Sequence, residues 1–432
     1  MIDFADVYIW GQKAGTVAWD ERREMGSFEY DPSFRDSGLE LSPIMMPLEG
    51  GRVYQFGTLS RDTFLGLPGL LADALPDAFG KALLDRWLAT VGRRFANPIE
   101  RLCYQGRRSM GALEFVPAQD DYLTHDARLE INSLVDVARE VLQSKRLLHT
   151  NLNDDVKEAV VNIIKVGTSA GGQRAKAVIA YNEETGEVRS GQLEVPDGFS
   201  HWLLKLDGVT NASLGDPGHY GQIEYAYYLM AREAGIEMTE CRLLEEGGRA
   251  HFMTRRFDRE AGNKKIHMQT LCGMAHYDYK MLRAYSYEQV FQVMRRLRLP
   301  YNQAEEMYRR MVFNVVARNQ DDHTKNISFL MGEDGRWRLS PAYDMSWAYN
   351  PSGEWTSKHQ MSVNNKWEDI TTEDLVAVAR NVNIKHPKEI IEEVVDAVSH
   401  WTETAAGVGV PHEQVEAIGK TLLLTDGHTI PV

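Results

Sequence analysis

The sequence predicts an α+β protein in two parts, a strand-rich first half and a mostly helical second half. Two observations predict it. Short apolar–polar alternations broken by Gly and charged turns occupy the N-terminal region and recur between about residues 177 and 255. Beyond about Glu260 the apolar residues return at helical spacing instead. A length of 432 residues suffices for two or three domains, and 43% hydrophobic with 25% charged residues is ordinary globular composition.

In order, Asp6–Trp10, Thr16–Trp19 and Ser27–Tyr30 read as short strands, followed by helices over Pro76–Val91 and around Glu100–Cys103. Met110–Val116 is a further strand. Apolar periodicity then predicts helices over Asn132–Leu147 and Asp154–Lys165, with Asn132 and Asn153 as N-caps. Ala177–Ala180 and Glu187–Arg189 flank Asn182-Glu-Glu-Thr-Gly186, which reads as a hairpin. Trp202–Leu206 and Phe252–Arg255 are strands around a helix at Tyr220–Ala234. The helical half comprises Ser286–Leu299, Ala304–Asn319, Thr372–Asn381, Pro387–Thr404 and Glu413–Leu424. This order matches the bilobal layout of protein-kinase-like folds. The expected division is a strand-rich subdomain over residues 1–120, an N-lobe over 121–258 and a helical C-lobe over 259–432, hinged around Arg255–Arg259.

Composition excludes several classes. A net charge of −14 disfavours tight, sequence-independent nucleic-acid binding, although Arg295-Arg296-Arg298, Arg309-Arg310 and Arg255-Arg256 form local basic clusters. Cys103, Cys241 and Cys272 have no CxxC or zinc-type spacing and read as thiols of a reducing compartment. The opening residues lack a basic and an apolar segment, and no apolar run reaches the roughly 18 residues of a membrane span, so the expected location is cytoplasmic, with no membrane partner.

The chemistry concentrates in Asp321-Asp322-His323-Thr324-Lys325-Asn326, followed beyond a short hairpin by Asp344. A phosphoryl transferase needs an acid to orient or deprotonate the attacking hydroxyl. It also needs hard oxygen ligands for Mg²⁺, which an Asn amide and a second carboxylate supply. The strands predicted at Ile327–Met331 and Trp337–Leu339 would fold Asn326 and Asp344 to the same end of the hairpin. The competing reading is an acidic surface turn after a helix.

Upstream, Gly167-Thr168-Ser169-Ala170-Gly171-Gly172-Gln173-Arg174-Ala175-Lys176 precedes a strand. Such a Gly-rich loop can bring backbone N–H groups close to phosphate oxygens, but it has neither Walker A nor G-x-G-x-x-G spacing. Lys205 interrupts an apolar strand, where it needs a partner or water, and Glu224 on the following helix is the natural partner. A solvent-facing lysine is the alternative.

Taken together, Gly167-x-Ser169-x-Gly171-Gly172-x-Arg174-x-Lys176, Leu204-Lys205, Ile223-Glu224, Arg256-Phe257-Asp258-Arg259, Asn319-x-Asp321-Asp322-His323-x-Lys325-Asn326 and Tyr343-Asp344 resemble the HipA family of serine/threonine kinases, toxins of bacterial type II toxin–antitoxin pairs. The resemblance implies Asp321 as the catalytic acid, with His323 beside it, and Asn326 and Asp344 as Mg²⁺ ligands. It places Gly171, Gly172, Gln173, Arg174, Lys176, Lys205 and Glu224 around the ATP phosphates. It puts Arg255 and Phe257 at adenine, and adds Lys325 and Tyr343 to the ATP site. Ser169, with Thr168 as the neighbouring alternative, is the implied autophosphorylation site. There a phosphate of about −1.5 to −2 charge would oppose ATP. Ala175 stands where family loops often carry Pro, and Arg255 where they often carry Glu. The implied partners are a HipB-like helix-turn-helix antitoxin, DNA mainly through that antitoxin, and a protein substrate of the translation machinery such as an aminoacyl-tRNA synthetase. A small-molecule kinase and a non-catalytic kinase-like regulatory partner are the alternative functions.

Overall fold

The computed structural model describes residues 2–49, 52–90, 92–93, 95–119, 129–143, 175–192, 194–209 and 218–424. Two compact units result. The first comprises Met1–Gly221, Arg242–Gln269 and Met331–Gly335, and the second Gln222–Cys241, Thr270–Leu330 and Arg336–Val432.

In the first unit, β1 (Phe4–Ile9), β2 (Gln12–Asp20), β3 (Met25–Tyr30) and β4 (Leu113–Val116) form an antiparallel sheet in the order β3-β2-β1-β4. Alternation decides its inner face: Ala5, Val7 and Ile9 are fully buried while Phe4 is exposed. The helix Pro98–Gln105 starts where Asn97 accepts a hydrogen bond from the Glu100 N–H at 2.8 Å, with Pro98 in its first turn.

A second sheet of the same unit carries β5 (Lys176–Asn182), β6 (Val188–Ser190), β7 (Phe199–Lys205), β8 (Cys241–Glu246) and β9 (Arg249–Arg255) in the order β6-β5-β7-β9-β8. Ala177 pairs with Leu204 and Leu204 with Met253, and this face joins Phe79, Leu83, Leu134 and Val135 in one core. The opposite face carries Lys176, Lys205 and Phe252 in register. β10 (His267–Thr270) ends the unit's chain segment.

The Arg255–Arg259 segment, expected to be a hinge, lies inside the first unit. The reason is electrostatic. Asp258 is fully buried and takes Arg256 Nη2 at 2.7 Å, Arg259 Nη1 at 2.8 Å and the Gly111 N–H at 2.7 Å. Burial alone would raise the Asp258 carboxyl, but the two guanidiniums hold it well below the usual carboxylate range. The Arg259 guanidinium is brought down to about 10, by burial first and then by its neighbour Arg256. A turn tied this way to residue 111 cannot bend freely.

In the second unit the helix Tyr301–Val316 packs on Pro387–Ser399. Tyr227 meets Phe313 and Trp401 edge-on at 6.1 and 5.6 Å, and its hydroxyl donates to the Ala317 carbonyl at 2.6 Å. Ser286 and Gln289 form a capping box that starts the helix Tyr287–Arg296. β11 (Tyr285–Ser286) runs parallel to β14 (Met361–Ser362), and β12 (Ser328–Met331) lies beside β13 (Trp337–Leu339).

Local departures from expectation have identifiable causes. Pro387–Thr404 is two helices, Pro387–Ser399 and Trp401–Gly407, because the buried Trp401 turns to donate to the Val415 carbonyl. Asn132 lies inside the helix Ile131–Gln143 rather than capping it, its side chain donating to Glu246 and accepting from Arg249. The expected helix Asp154–Lys165 and its Asn153 cap fall outside the described residues. No helix among the described residues is long and apolar enough to cross a membrane.

Candidate active site

The second unit builds the site from the end of the helix Tyr301–Val316. Ala317 closes that helix, and Asn319 turns back so that its amide donates to Asn314 Oδ1 at 2.9 Å. Gln320 N–H donates to the Ala348 carbonyl at 3.0 Å, which ties the approach to the loop to the segment just beyond Asp344.

The loop itself is fastened mostly through its backbone. The Asp321 carbonyl accepts from His323 N–H at 2.9 Å and from Asn326 Nδ2 at 2.8 Å. Committing the amide nitrogen inward leaves Oδ1 as the outward, metal-capable end of Asn326. Thr324 is buried, with its hydroxyl on the Tyr277 carbonyl at 2.7 Å.

The adjacent aspartates are placed in opposite surroundings. Asp322 is buried. Its Oδ2 accepts from the Tyr287 hydroxyl at 2.8 Å and from His359 Nδ1 at 2.9 Å, and its Oδ1 from the Gln360 N–H at 2.7 Å. Asn314 extends the network by donating to the Tyr287 hydroxyl at 2.9 Å. Asp321 has a side chain 49% exposed, 3.9 Å from His323 Nε2. A carboxylate that must receive a substrate proton has to be reachable, and Asp321 is.

β12 and β13 then return the chain, with Ser340 N–H on the Ser328 carbonyl at 2.9 Å. As the hairpin reading expects, Asn326 and Asp344 line one pocket, together with His323, Tyr343, Asp322 and Arg310. Asp344 sits at φ +56°, a left-handed conformation that Asp and Asn tolerate better than most residues and that recurs at functional sites. The Tyr343 hydroxyl donates to the Lys325 carbonyl at 2.6 Å and meets Ser328 Oγ, so it braces the loop. A carboxylate and an amide oxygen lining one pocket are the donor chemistry that suits Mg²⁺.

Sequence reasoning missed three neighbours. Tyr279 lies edge-on to His323 at 5.3 Å, with the Lys325 ammonium 4.9 Å from its ring. Arg310 lines the pocket almost fully buried on Glu306 at 2.8 Å, and burial lowers its pKa. His359, far along the chain, fastens its segment to Asp322.

In the first unit, Lys205 ends β7 half-buried, with its ammonium 5.7 Å from the Phe252 ring. Lys176, expected on phosphate, is buried and ion-paired to Asp77 at 3.6 Å. Arg255 is exposed and opposite Trp202 in register, on the face away from Lys205, while Phe257 follows β9 half-buried. Glu224 is buried on the helix Tyr220–Glu233 of the second unit. Thr168, Ser169, Gly171, Gly172, Gln173 and Arg174 lie outside the described residues.

Residues 168–402 match the model of the HipA-like C-terminal domain, more than half of the chain, and residues 5–116 that of the HipA N-terminal domain. The chain belongs to the HipA family. A crystal structure of the Shewanella oneidensis HipA–HipB–operator DNA complex aligns over 96% of this chain and 94% of that chain, at a TM-score of 0.67 and 16% identity. At that identity the likeness shows the fold, which is the mixed α+β, protein-kinase-like architecture expected of a HipA-family member. A Helicobacter pylori proinflammatory kinase, CtkA, aligns over 52% of this chain and 88% of that chain at a TM-score of only 0.34 and 11% identity, too low to argue from. Among curated proteins, a Haemophilus influenzae protein named "Putative kinase" is 27% identical over 134 residues, 28% of this chain. The match spans 39% of that relative's length.

Proposed function

We propose that this HipA-family chain is a Mg²⁺- and ATP-dependent serine/threonine protein kinase, acting as the growth-arresting toxin of a toxin–antitoxin pair. The observation that carries the reading is the division of Asp321 from Asp322. The first carboxylate is accessible beside the pocket that Asn326 and Asp344 line, and the second is spent on holding the loop.

In this reading the Asp321 carboxylate accepts the proton of a serine or threonine hydroxyl. That oxygen bonds to the γ-phosphorus as the bond to the β–γ bridging oxygen breaks, and ADP leaves. Asn326 Oδ1 and the Asp344 carboxylate would hold Mg²⁺, which supplies charge neutralisation on the phosphates when bound. Lys205 binds phosphate oxygens, while Arg255 contributes at adenine only through its backbone. His323 and Lys325, both against Tyr279, flank Asp321.

Ser169 or Thr168 is the autophosphorylation site. A HipB-like antitoxin is the proposed partner, carrying the complex to DNA; the Shewanella complex, which contains HipA, HipB and operator DNA, supports this. The acceptor is a translation component such as an aminoacyl-tRNA synthetase, a reading that rests on the family resemblance.

The test is intact mass of wild type and Asp321→Ala before and after Mg-ATP, with peptide mapping across residues 167–176. Phosphate on wild type only supports the reading. No phosphate together with no ATP binding by calorimetry overturns it.

A further inference from the structure

The face of the second sheet that carries Lys205 presents an electrostatic problem. Lys176 on β5 and Lys205 on β7 are partners in antiparallel register, so two ammonium-bearing side chains leave the same face from directly opposed positions. Directly opposed like charges on neighbouring strands destabilise a sheet. Lys176 adds a second difficulty: its side chain is only 5% exposed, and a buried ammonium needs an anion.

The anion comes from far away in sequence. Asp77, whose side chain is also 5% exposed, lies 3.6 Å from the Lys176 ammonium. Asp77 Oδ1 accepts the Gly80 N–H at 2.7 Å and its carbonyl accepts the Lys81 N–H at 2.8 Å, which fixes it at the start of the helix Ala78–Thr90. Phe79 and Leu83 of that helix sit in the core with Ala177, Trp202 and Leu204, on the other face of the sheet. The helix therefore grips the sheet from behind, while the carboxylate at its start reaches the first residue of β5.

We propose that Asp77 is a positioning residue of the nucleotide site. It anchors Lys176 at the start of β5, and so holds the strand that pairs with β7 and sets the position of Lys205, the lysine that meets the phosphates in the kinase reading. The proposal rests on the kinase reading for its ligand, but the anchoring itself does not depend on it. It gives the N-terminal part of the chain a direct part in nucleotide affinity, and it assigns the two lysines different work: Lys176 is structural and Lys205 faces the ligand.

The experiment uses the full chain and four variants: Asp77→Asn, Asp77→Glu, the double variant Asp77→Asn with Lys176→Met, and Lys205→Met. Amide exchange over β5 is read without nucleotide, and ATP affinity is read by calorimetry. In Asp77→Asn we expect faster exchange across Lys176–Asn182, and ATP affinity about tenfold weaker with the maximal transfer rate within about twofold. Asp77→Glu recovers part of the affinity. The double variant, which removes both buried charges, regains thermal stability without regaining affinity, which separates anchoring from mere folding. Lys205→Met binds ATP poorly while β5 exchange stays as in wild type. Unchanged β5 exchange and wild-type ATP affinity in a folded Asp77→Asn overturn the proposal. If wild type itself binds no ATP, the kinase reading fails, and the exchange result alone decides whether Asp77 anchors β5.

Discussion

Two charged motifs of this chain look alike in sequence and behave oppositely in the fold. Arg256-Phe257-Asp258-Arg259 and Asp321-Asp322-His323-x-Lys325-Asn326 both carry the family resemblance, and both set carboxylates among cations. In the first, Asp258 is sealed under two guanidiniums and a backbone N–H. In the second, one carboxylate is sealed in the same manner and its neighbour is left half open. The lesson is that shared charge marks both scaffold and chemistry, and exposure separates them.

The sharpest way to break the comparison is to remove one acid from each motif. Asp321→Ala is expected to lower the phosphoryl-transfer rate about 10³-fold while shifting unfolding free energy by less than about 0.5 kcal/mol. Asp258→Ala is expected to cost about 3–5 kcal/mol of stability by stranding two buried guanidiniums. Rate assays alongside denaturant titrations check both, and equal stability losses would erase the distinction.

Asp322→Asn probes the middle ground. An amide must turn its NH₂ toward at least one of the three donors that Asp322 now accepts, a loss of about 1–3 kcal/mol. We expect the rate to fall with KM for ATP nearly unchanged, because the defect is in holding the loop.

Acidity sharpens the comparison further. His201 and His251 of the first unit are brought down to about 4, by burial first and then by Arg256 and Arg249 respectively. The unfolded chain takes up their protons below about pH 6.5 while the folded chain resists until about 4. Stability is therefore full above pH 6.5 and declines as pH falls through that window, by about 1.4 kcal/mol per unit for each histidine. Unfolding titrations at several pH values should show this slope, reduced in His251→Gln. A small effect belongs to Tyr343→Phe, about 1 kcal/mol for each of the hydrogen bonds lost to the Lys325 carbonyl and Ser328 Oγ, readable as a drop in melting temperature.

Much of this was legible in the sequence. Helical periodicity located Tyr301–Val316 and hence the loop after it, and the strand–turn–strand pattern brought Asn326 and Asp344 to one pocket. β8 escaped because Cys241-Arg-Leu-Leu-Glu-Glu246 is an edge strand built of residues without strong strand preference. The division of Asp321 from Asp322 escaped for another reason. It is decided by Tyr287, His359 and Gln360, partners that no local pattern points to. The Asp77 partner of Lys176 escaped because it lies about a hundred residues upstream.

Asp344 holds a last consequence. Because its backbone occupies the left-handed region, few side chains can stand there without strain, so the position has little room for evolutionary drift. Asn is the replacement that keeps the backbone content while removing the charge, whereas Ala changes both. A natural lineage that silences this site without unfolding it therefore has a short route through Asn at 344, a single-base change from either Asp codon and one that leaves the surface outline intact.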